Sequence, residues 1–151
     1  MNQSTHVIHD QFRRQGVRVT PQRVAIYEAL ASTTSHPTAD ALYRTVKQRH
    51  PMMSRNTVYY TLTALREAGL IQEVNGGDGV ARFDANLSPH HHLMCLGCRR
   101  IMDVMDERLN SLAVTERQAR GFRVVGHRVE FHGYCPTCRQ AMPGKRRPAG
   151  R

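Results

Sequence analysis

The 151-residue chain is poor in cysteine, aromatic residues and acidic residues, and these shortages restrict the classes of protein to which it can belong. No apolar run approaches the roughly 18 residues that a membrane-spanning helix needs, and the N-terminus lacks a signal-peptide pattern. Four cysteines in a chain of this length do not make a disulfide scaffold. A hydrophobic fraction of 40% nevertheless suffices for a folded core. We therefore expect a globular, cytoplasmic protein.

Acidic residues are outnumbered by basic ones. The 12 Asp and Glu oppose 22 Lys and Arg, giving a net charge of +10, which favours a polyanionic partner such as DNA. Residues 139–151 contain five basic and no acidic residues together with Pro and Gly, and we expect them to form a disordered tail. Residues 1–56 still carry eight basic residues against three acidic ones, so the basic character is not confined to the tail.

The first half of the chain predicts a winged helix-turn-helix domain over residues 1–84. Helix-capping residues precede three of four helical segments, and these caps are Thr20, Thr38 and Ser54. The third and fourth helices are separated by a short turn, as in a helix-turn-helix. Strand-like runs at 70–74 and 80–83 then flank an Asn-Gly-Gly-Asp-Gly turn, which predicts a hairpin wing.

The second half predicts a small α/β domain over residues 85–138, so the fold class is α+β. Strands are expected at 91–94, 100–104, 122–125 and 127–134, with one helix from 106 to 120 that ends at Gly121.

The fourth helix has the pattern of a DNA recognition helix. Val58, Leu62 and Leu65 form an apolar face that can dock on a scaffold. The polar N-terminal part can reach base edges, where Arg pairs with guanine and Asn with adenine. These candidate base contacts are Arg55, Asn56, Thr57, Tyr59 and Tyr60. Upstream arginines suit phosphates, namely Arg13, Arg14, Arg18 and Arg23. The alternative interpretation is an ordinary solvated helix face.

All four cysteines fall into two Cys-x-x-Cys pairs, Cys95/Cys98 and Cys135/Cys138. Two such pairs complete a tetrahedral all-thiolate shell, which is typical of structural Zn²⁺. In a reducing cytoplasm this pattern favours a metal over disulfides. We expect zinc to fasten the C-terminal segment to its domain, and loss of zinc to unfold that domain.

A second cluster of candidate ligands contains histidine and aspartate. His90 and His92 alternate along a predicted strand, so their imidazoles project to the same face. Asp84 and Asp103 lie on flanking segments and can add oxygen donors. Mixed nitrogen and oxygen ligands suit Fe²⁺, Mn²⁺ or Zn²⁺. Taken alone, His36 before Pro37 is interpreted as a turn residue.

The ordered set of motifs resembles the ferric uptake regulator (Fur) family. The motifs are Gly-Val-Arg-Val-Thr-Pro-Gln-Arg at 16–23, His-Pro-Thr-Ala-Asp at 36–40, Asn-Thr-Val-Tyr at 56–59, Arg-Phe-Asp at 82–84, the His triplet at 90–92 and the two cysteine pairs. The resemblance implies a homodimeric, DNA-binding repressor with structural zinc and a regulatory metal at the hinge. It implies the regulatory ligands His36, Asp84, His90, His92 and Asp103, and DNA contacts by Tyr59 and Arg18.

Aspartate at positions 84 and 103 is similar to the peroxide-sensing, PerR-type branch of that family. That resemblance implies Fe²⁺ with an open position for H₂O₂ and oxidation of His36 or His90, whereas Mn²⁺ would support DNA binding without oxidation. An iron-level or zinc-level sensor controlling metal uptake is the alternative within the family.

Two features depart from the family pattern. Pro89 and Asn110 stand where iron-sensing relatives have ligands of a further metal site, which leaves His91 and His127 as its candidates. Tyr60 follows Tyr59 where many members carry Arg. An enzyme is not expected, since the histidine motif lacks the His-x-Glu pattern of zinc deaminases. A basic zinc-bound adaptor for proteins is a further alternative.

Overall fold

The computed structural model describes residues 3–141, without the side chains of residues 3–5. The chain divides after Ser88 into two compact units, which are described separately. Residues 142–151, most of the tail predicted at 139–151, lie outside the described residues. Within the described range, no helix is long and apolar enough to cross a membrane.

The N-terminal unit consists of four helices and a hairpin. Its elements are α1 (Gln3–Arg14), α2 (Pro21–Ala31), α3 (Ala39–Arg49), α4 (Arg55–Glu67), β1 (Gln72–Asn75) and β2 (Ala81–Asp84), with β1 and β2 antiparallel. The hydroxyls of Thr20, Thr38 and Ser54 each accept an N–H from the first turn of the helix that follows. These caps confirm the predicted starts of α2, α3 and α4.

The core of this unit lies between the helices. Phe12 is fully buried, with its ring edge-on to Tyr27 at 5.5 Å between centroids. On α4 the predicted apolar face of Val58, Leu62 and Leu65 is buried. The docking of α4 leaves the polar residues near its N-terminus outside the core, and α3, the turn and α4 form the expected helix-turn-helix.

The C-terminal unit is built on a three-stranded sheet. Its elements are β3 (His91–Cys95), β4 (Ile101–Val104), α5 (Glu107–Asn110), α6 (Glu116–Ala119), β5 (Glu130–Gly133) and α7 (Pro136–Gln140). The central strand β3 pairs antiparallel with β4 and parallel with β5. The sheet therefore places residues from three distant parts of the sequence side by side.

The single helix predicted over 106–120 is wrong. Two separate turns replace it: α5 is capped by Asp106, and α6 begins at a capping box between Thr115 and Gln118. Ser111 and Thr115 favour caps over helix interiors because their hydroxyls compete for backbone groups, and the β-branched Val114 adds to this preference. The helical pattern is therefore interrupted at 111–115.

The predicted strand at 122–125 is also absent from the sheet. Phe122 is 81% exposed and Val125 is 91% exposed, and β3 is already flanked on both sides by β4 and β5. Of the run predicted at 127–134, only Glu130–Gly133 is paired as β5. Alternating apolar residues thus predicted a strand for which the described chain offers no neighbour.

Candidate metal centres and nucleic-acid interface

The two cysteine pairs converge in the C-terminal unit. The sulfurs of Cys95, Cys98, Cys135 and Cys138 all lie within 4.8 Å of one another. The Sγ atoms of Cys98 and Cys135 are 3.8 Å apart, which matches the edge of about 3.8 Å in a tetrahedron with Zn–S bonds of about 2.3 Å. A disulfide would need about 2.05 Å, and all four cysteines are free. The donors fit a closed zinc shell.

The electrostatics of these sulfurs favour a bound cation. The Sγ of Cys95 accepts the N–H groups of Cys135 at 3.3 Å and Cys98 at 3.5 Å, and these bonds lower the pKa of Cys95 to about 6. The neighbouring sulfur of Cys135, followed by burial, raises the pKa of Cys138 to about 12. Four clustered thiols cannot all ionise unless a positive charge compensates them, and a bound divalent ion supplies that charge.

Gly97 allows the two cysteine loops to approach each other. A Cβ at this position would lie 2.8 Å from both the Cβ and the Sγ of Cys138. Only a residue without a side chain leaves room for this contact. The glycine inside the first Cys-x-x-Cys pair is thus a requirement of the cluster that the cysteine spacing alone does not reveal.

His36 and Asp84 lie together in the N-terminal unit. His36 Nε2 is 3.6 Å from Asp84 Oδ2, and both residues are buried. The segment after His36 runs beside β2, because Phe83 donates its N–H to Pro37 O at 3.0 Å and Thr38 bridges to Arg82. His36 has a φ of 49°, a left-handed conformation that is costly for a non-glycine residue and concentrates at functional sites.

Asp84 is held by a network within the same unit. Its Oδ2 accepts from Gln72 Nε2 at 3.0 Å, and its Oδ1 accepts the N–H of Asn86 at 2.7 Å. Burial works to raise the pKa of Asp84, but hydrogen bonds from His36, Asn86 and Gln72 outweigh burial and hold the pKa well below its usual value. Gln72 is not among the predicted site residues, and the observed register of β1 and β2 places it opposite Asp84.

The other three predicted ligands meet in the C-terminal unit. The Nε2 atoms of His90 and His92 are 3.1 Å apart, with their rings nearly perpendicular. Asp103 pairs with His92 across β3 and β4, and its Oδ1 lies 3.8 Å from His90 Nε2 and 4.0 Å from His92 Nε2. His90, which immediately precedes β3, and His92, within it, therefore share the predicted face. Two imidazoles and a carboxylate form a donor set that suits Fe²⁺ or Mn²⁺.

His91 and His127 are both engaged in hydrogen bonds within the C-terminal unit. His91 Nδ1 accepts the N–H of Val129 at 3.1 Å, so its Nε2 carries the proton and bonds to Asn110 Oδ1 at 3.0 Å. His127 stacks on His91, and its Nε2 donates to Leu109 O at 2.6 Å. Both nitrogens of His91 are occupied by structural hydrogen bonds, and the amide of Asn110 replaces the acidic ligand.

The predicted DNA-contacting residues lie on one part of the N-terminal unit. Arg55, Asn56, Tyr59 and Tyr60 are exposed and Thr57 is half-buried at the start of α4. A groove of about 260 Å³ lies beside them, lined by Arg18, Thr20, Gln22, Arg23, Thr57, Tyr60 and Thr61. Arg18 thus lines one groove with Thr57 and Tyr60, which brings a predicted phosphate contact next to predicted base contacts.

Arg55 is anchored to α3. Its guanidinium forms an ion pair with Asp40 and lies over the ring of Tyr43, 5.0 Å from the centroid. On the same ring, Lys47 Nζ lies 5.2 Å from the centroid and donates to the Tyr43 hydroxyl at 2.7 Å. The first residue of α4 is therefore oriented by side chains of the preceding helix, which sequence analysis did not predict.

Comparison with known proteins gives consistent results. The family model described as "Ferric uptake regulator family" matches residues 14–132. The peroxide operon regulator of Bacillus subtilis (strain 168) is 40% identical over 126 residues, covering 83% of this chain and 87% of the relative. The peroxide-responsive repressor PerR of Staphylococcus epidermidis (strain ATCC 12228 / FDA PCI 1200) is 37% identical over 128 residues, covering 85% of each.

Among solved structures, a zinc-bound manganese uptake regulator superposes with a TM-score of 0.67 at 31% identity, covering 84% of this chain and 97% of that one. The match to the family model extends over most of the chain and includes the recognition helix, the histidine strand and the first cysteine pair. The chain belongs to the ferric uptake regulator family.

Proposed function

We propose that this protein is a metal-dependent, DNA-binding transcriptional repressor that senses hydrogen peroxide. The observation that carries the proposal is the presence, in one chain 40% identical to a peroxide operon regulator, of an exposed recognition helix and a histidine–aspartate ligand set. The chain is a regulator rather than an enzyme, and we place it in the cytoplasm, where it can reach DNA.

In this proposal the four cysteines hold a structural Zn²⁺. Their donor chemistry and the 3.8 Å sulfur separation support this role. The ion ties the loop after β3 to the loop before α7, and so fixes the strand that carries His92 and directly follows His90. Its function is to keep the regulatory ligands in register rather than to respond to the signal.

The regulatory metal, Fe²⁺ or Mn²⁺, is assigned to His36, Asp84, His90, His92 and Asp103. His36 and Asp84 are supplied by the N-terminal unit and the other three by the C-terminal unit. A metal bound by all five would couple its own occupancy to the arrangement of the units, and thus to DNA affinity. Bound Fe²⁺ would also supply redox chemistry towards H₂O₂, which Mn²⁺ would not.

The signal itself is proposed to be oxidation of a ligand histidine. One oxygen atom of H₂O₂ enters an imidazole C–H bond of His36 or His90, the other leaves as water, and the ring loses two electrons. The oxidised ring is a poorer ligand, so the metal is released and DNA binding is lost. In the N-terminal unit, Gln72 Nε2 and the backbone N–H of Asn86 donate hydrogen bonds to the Asp84 carboxylate. These bonds orient the carboxylate for the proposed metal ligation.

We further propose that the repressor is a homodimer that binds an inverted repeat. Among the described residues of the C-terminal unit, the buried apolar side chains are only Met94, Cys95 and Ile101. Many large apolar side chains of the same unit are exposed, including Leu93, Met102, Leu112, Val114, Phe122, Val125 and Phe131. So small a core needs further burial, and a second copy supplies it. A two-fold dimer then requires two DNA half-sites.

Mass spectrometry tests the peroxide mechanism. Tryptic peptide 24–44 contains one histidine, His36, and neither methionine nor cysteine, so an added oxygen atom there identifies His36 oxidation. Peptide 83–99 contains three histidines, one methionine and two cysteines, and needs fragment ions to locate the oxygen on His90. The Fe²⁺-loaded protein should gain oxygen on one of these rings after H₂O₂, and the Mn²⁺-loaded control should not.

A gel-shift assay tests the repressor itself. Duplexes recovered from a random library should be bound by the Mn²⁺-loaded protein and released when the metal is chelated. Metal-independent binding, or no enriched duplex, would refute the proposal and favour the adaptor for proteins.

The second candidate is a metal-level sensor controlling uptake. The 31% identity to a zinc-bound manganese uptake regulator favours it. Metal-dependent DNA binding without any oxygen gain on either peptide would select this candidate over peroxide sensing.

A further inference from the structure

Three side chains of α3 hold the first side chain of the recognition helix. They belong to Asp40, Tyr43 and Lys47, and we call them the bracket. Asp40 and Tyr43 lie one turn apart on α3, and Arg55 is the first residue of α4. Asp40 pairs with Nη1 of the Arg55 guanidinium, whose central carbon lies over the Tyr43 ring, 5.0 Å from the ring centroid. Lys47, one turn further along α3, holds the Tyr43 hydroxyl at 2.7 Å. The ring is therefore itself fixed.

The bracket restrains Arg55 without hiding it. The Arg55 side chain is 61% exposed and that of Asp40 is 45% exposed, so part of the guanidinium fork remains accessible. An arginine has five donors, and the pair with Asp40 uses Nη1 alone. Reading guanine requires two parallel donors in one plane, and the contacts with Asp40 and the Tyr43 ring restrict the orientations that this plane can take.

We propose that Asp40 and Tyr43 are positioning residues that set the base specificity of Arg55. This inference rests on the proposed DNA-binding function and deepens it. Asp40 is itself an acid on a basic surface, and it repels phosphates of any sequence. Its contribution is therefore to discrimination rather than to affinity: it weakens non-specific binding and orients one of the candidate base-reading side chains.

The test compares Asp40→Asn with the wild-type chain. The probes are a duplex enriched from a random library by the full-length Mn²⁺-loaded protein, and a shuffled duplex of the same base composition. The measured quantity is a specificity ratio, the dissociation constant for the shuffled duplex divided by that for the enriched duplex. A bidentate Arg–guanine pair contributes roughly 5- to 150-fold to discrimination, so D40N should lower this ratio by about fivefold or more.

Asp10→Asn is the matched control. Asp10 is an exposed acid of the same unit that pairs with Arg13 on α1 at 3.6 Å. Both variants lose one negative charge, so both should bind the shuffled duplex more tightly. The ratio should remain within about twofold of wild type in D10N and fall in D40N. Equal ratios in the two variants would overturn the inference.

A double-mutant cycle separates positioning from general damage. Once Arg55→Ala has removed the side chain that Asp40 orients, adding D40N should leave the ratio unchanged. Asp40→Glu retains the charge and should keep a ratio nearer to wild type than D40N does. A further fall of fivefold in the R55A background would contradict the inference. If the wild-type protein enriches no duplex at all, the proposed function fails and the inference fails with it.

Discussion

Replacing Gly97 by alanine tests whether the two cysteine loops form one closed metal site. The added Cβ would lie 2.8 Å from the Cβ and the Sγ of Cys138, whereas ordinary contacts begin at 3.4 Å, so 0.6 Å must be gained. The Cys138 Cβ is attached directly to the backbone and cannot swing aside. Metal–ligand distances in such sites tolerate about 0.2 Å. The displacement is therefore about three times what the zinc shell accepts.

The expected loss follows from this overlap. Overpacking of a fitted site costs about 1–3 kcal/mol, which corresponds to roughly 5- to 150-fold weaker zinc binding. Because zinc binding and folding of the C-terminal unit are coupled, the thermal transition should shift to lower temperature as well.

Competition with a chromophoric chelator measures the zinc affinity, and Gly126→Ala provides the control. A Cβ at Gly126 meets nothing within 4 Å, and neither glycine has a positive φ. The G126A variant should retain wild-type zinc affinity within about twofold. The reasoning would be refuted if G97A also kept wild-type affinity, since the loops would then not approach as closely as the structure describes.

Three further predictions concern the core, a helix cap and the regulatory site. Phe12→Ala should lower the free energy of unfolding by about 3–5 kcal/mol in chemical denaturation because Phe12 is fully buried, whereas the exposed Val7→Ala should cost under about 0.5 kcal/mol; equal effects would contradict the packing. Arg108 and the helix N–H hold the pKa of Asp106 at about 2, so Arg108→Ala should raise the NMR-measured midpoint towards 3.8. A depressed folded pKa stabilises the fold above the unfolded value, and this contribution is lost as the pH falls from about 4 to about 2. Asp84→Asn should raise the Mn²⁺ concentration needed for DNA binding at least about tenfold with zinc content unchanged, and an unaltered Mn²⁺ titration would remove Asp84 from the ligand set.

Local signals in the sequence predicted the N-terminal unit well. A capping hydroxyl acts on an N–H three residues away, so Thr20, Thr38 and Ser54 identify their helices without tertiary information. The alternation of an extended chain likewise places His90, just before β3, on the same side as His92 whatever packs around them. The four cysteines could be assigned to one cluster because two Cys-x-x-Cys pairs are typical of a single zinc shell.

Other features depend on neighbours that the sequence does not reveal. Residues 122–125 have a strand pattern but lack a partner strand, and whether a neighbour exists is a property of the assembled sheet. The bracket on Arg55 joins residues 15 positions apart across a turn, which periodicity cannot predict. The sequence around His36 predicts only a turn residue. Its assignment as a metal ligand rests on the family resemblance and not on the pattern of residues 36–38.

Because His36 is attached close to the start of α3, a small rotation there produces a larger displacement at the other end of the helix. Only Pro37 separates His36 from Thr38, the residue that both caps α3 and bridges to β2. With 11 residues, α3 is about 16 Å long, so a rotation of about 10° at its start displaces its far end by about 3 Å. That displacement equals the length of one hydrogen bond to a base. Under the proposed role of His36 as a metal ligand, ions that differ slightly in preferred bond angles would be distinguished by how well α4, which follows α3, fits the DNA groove.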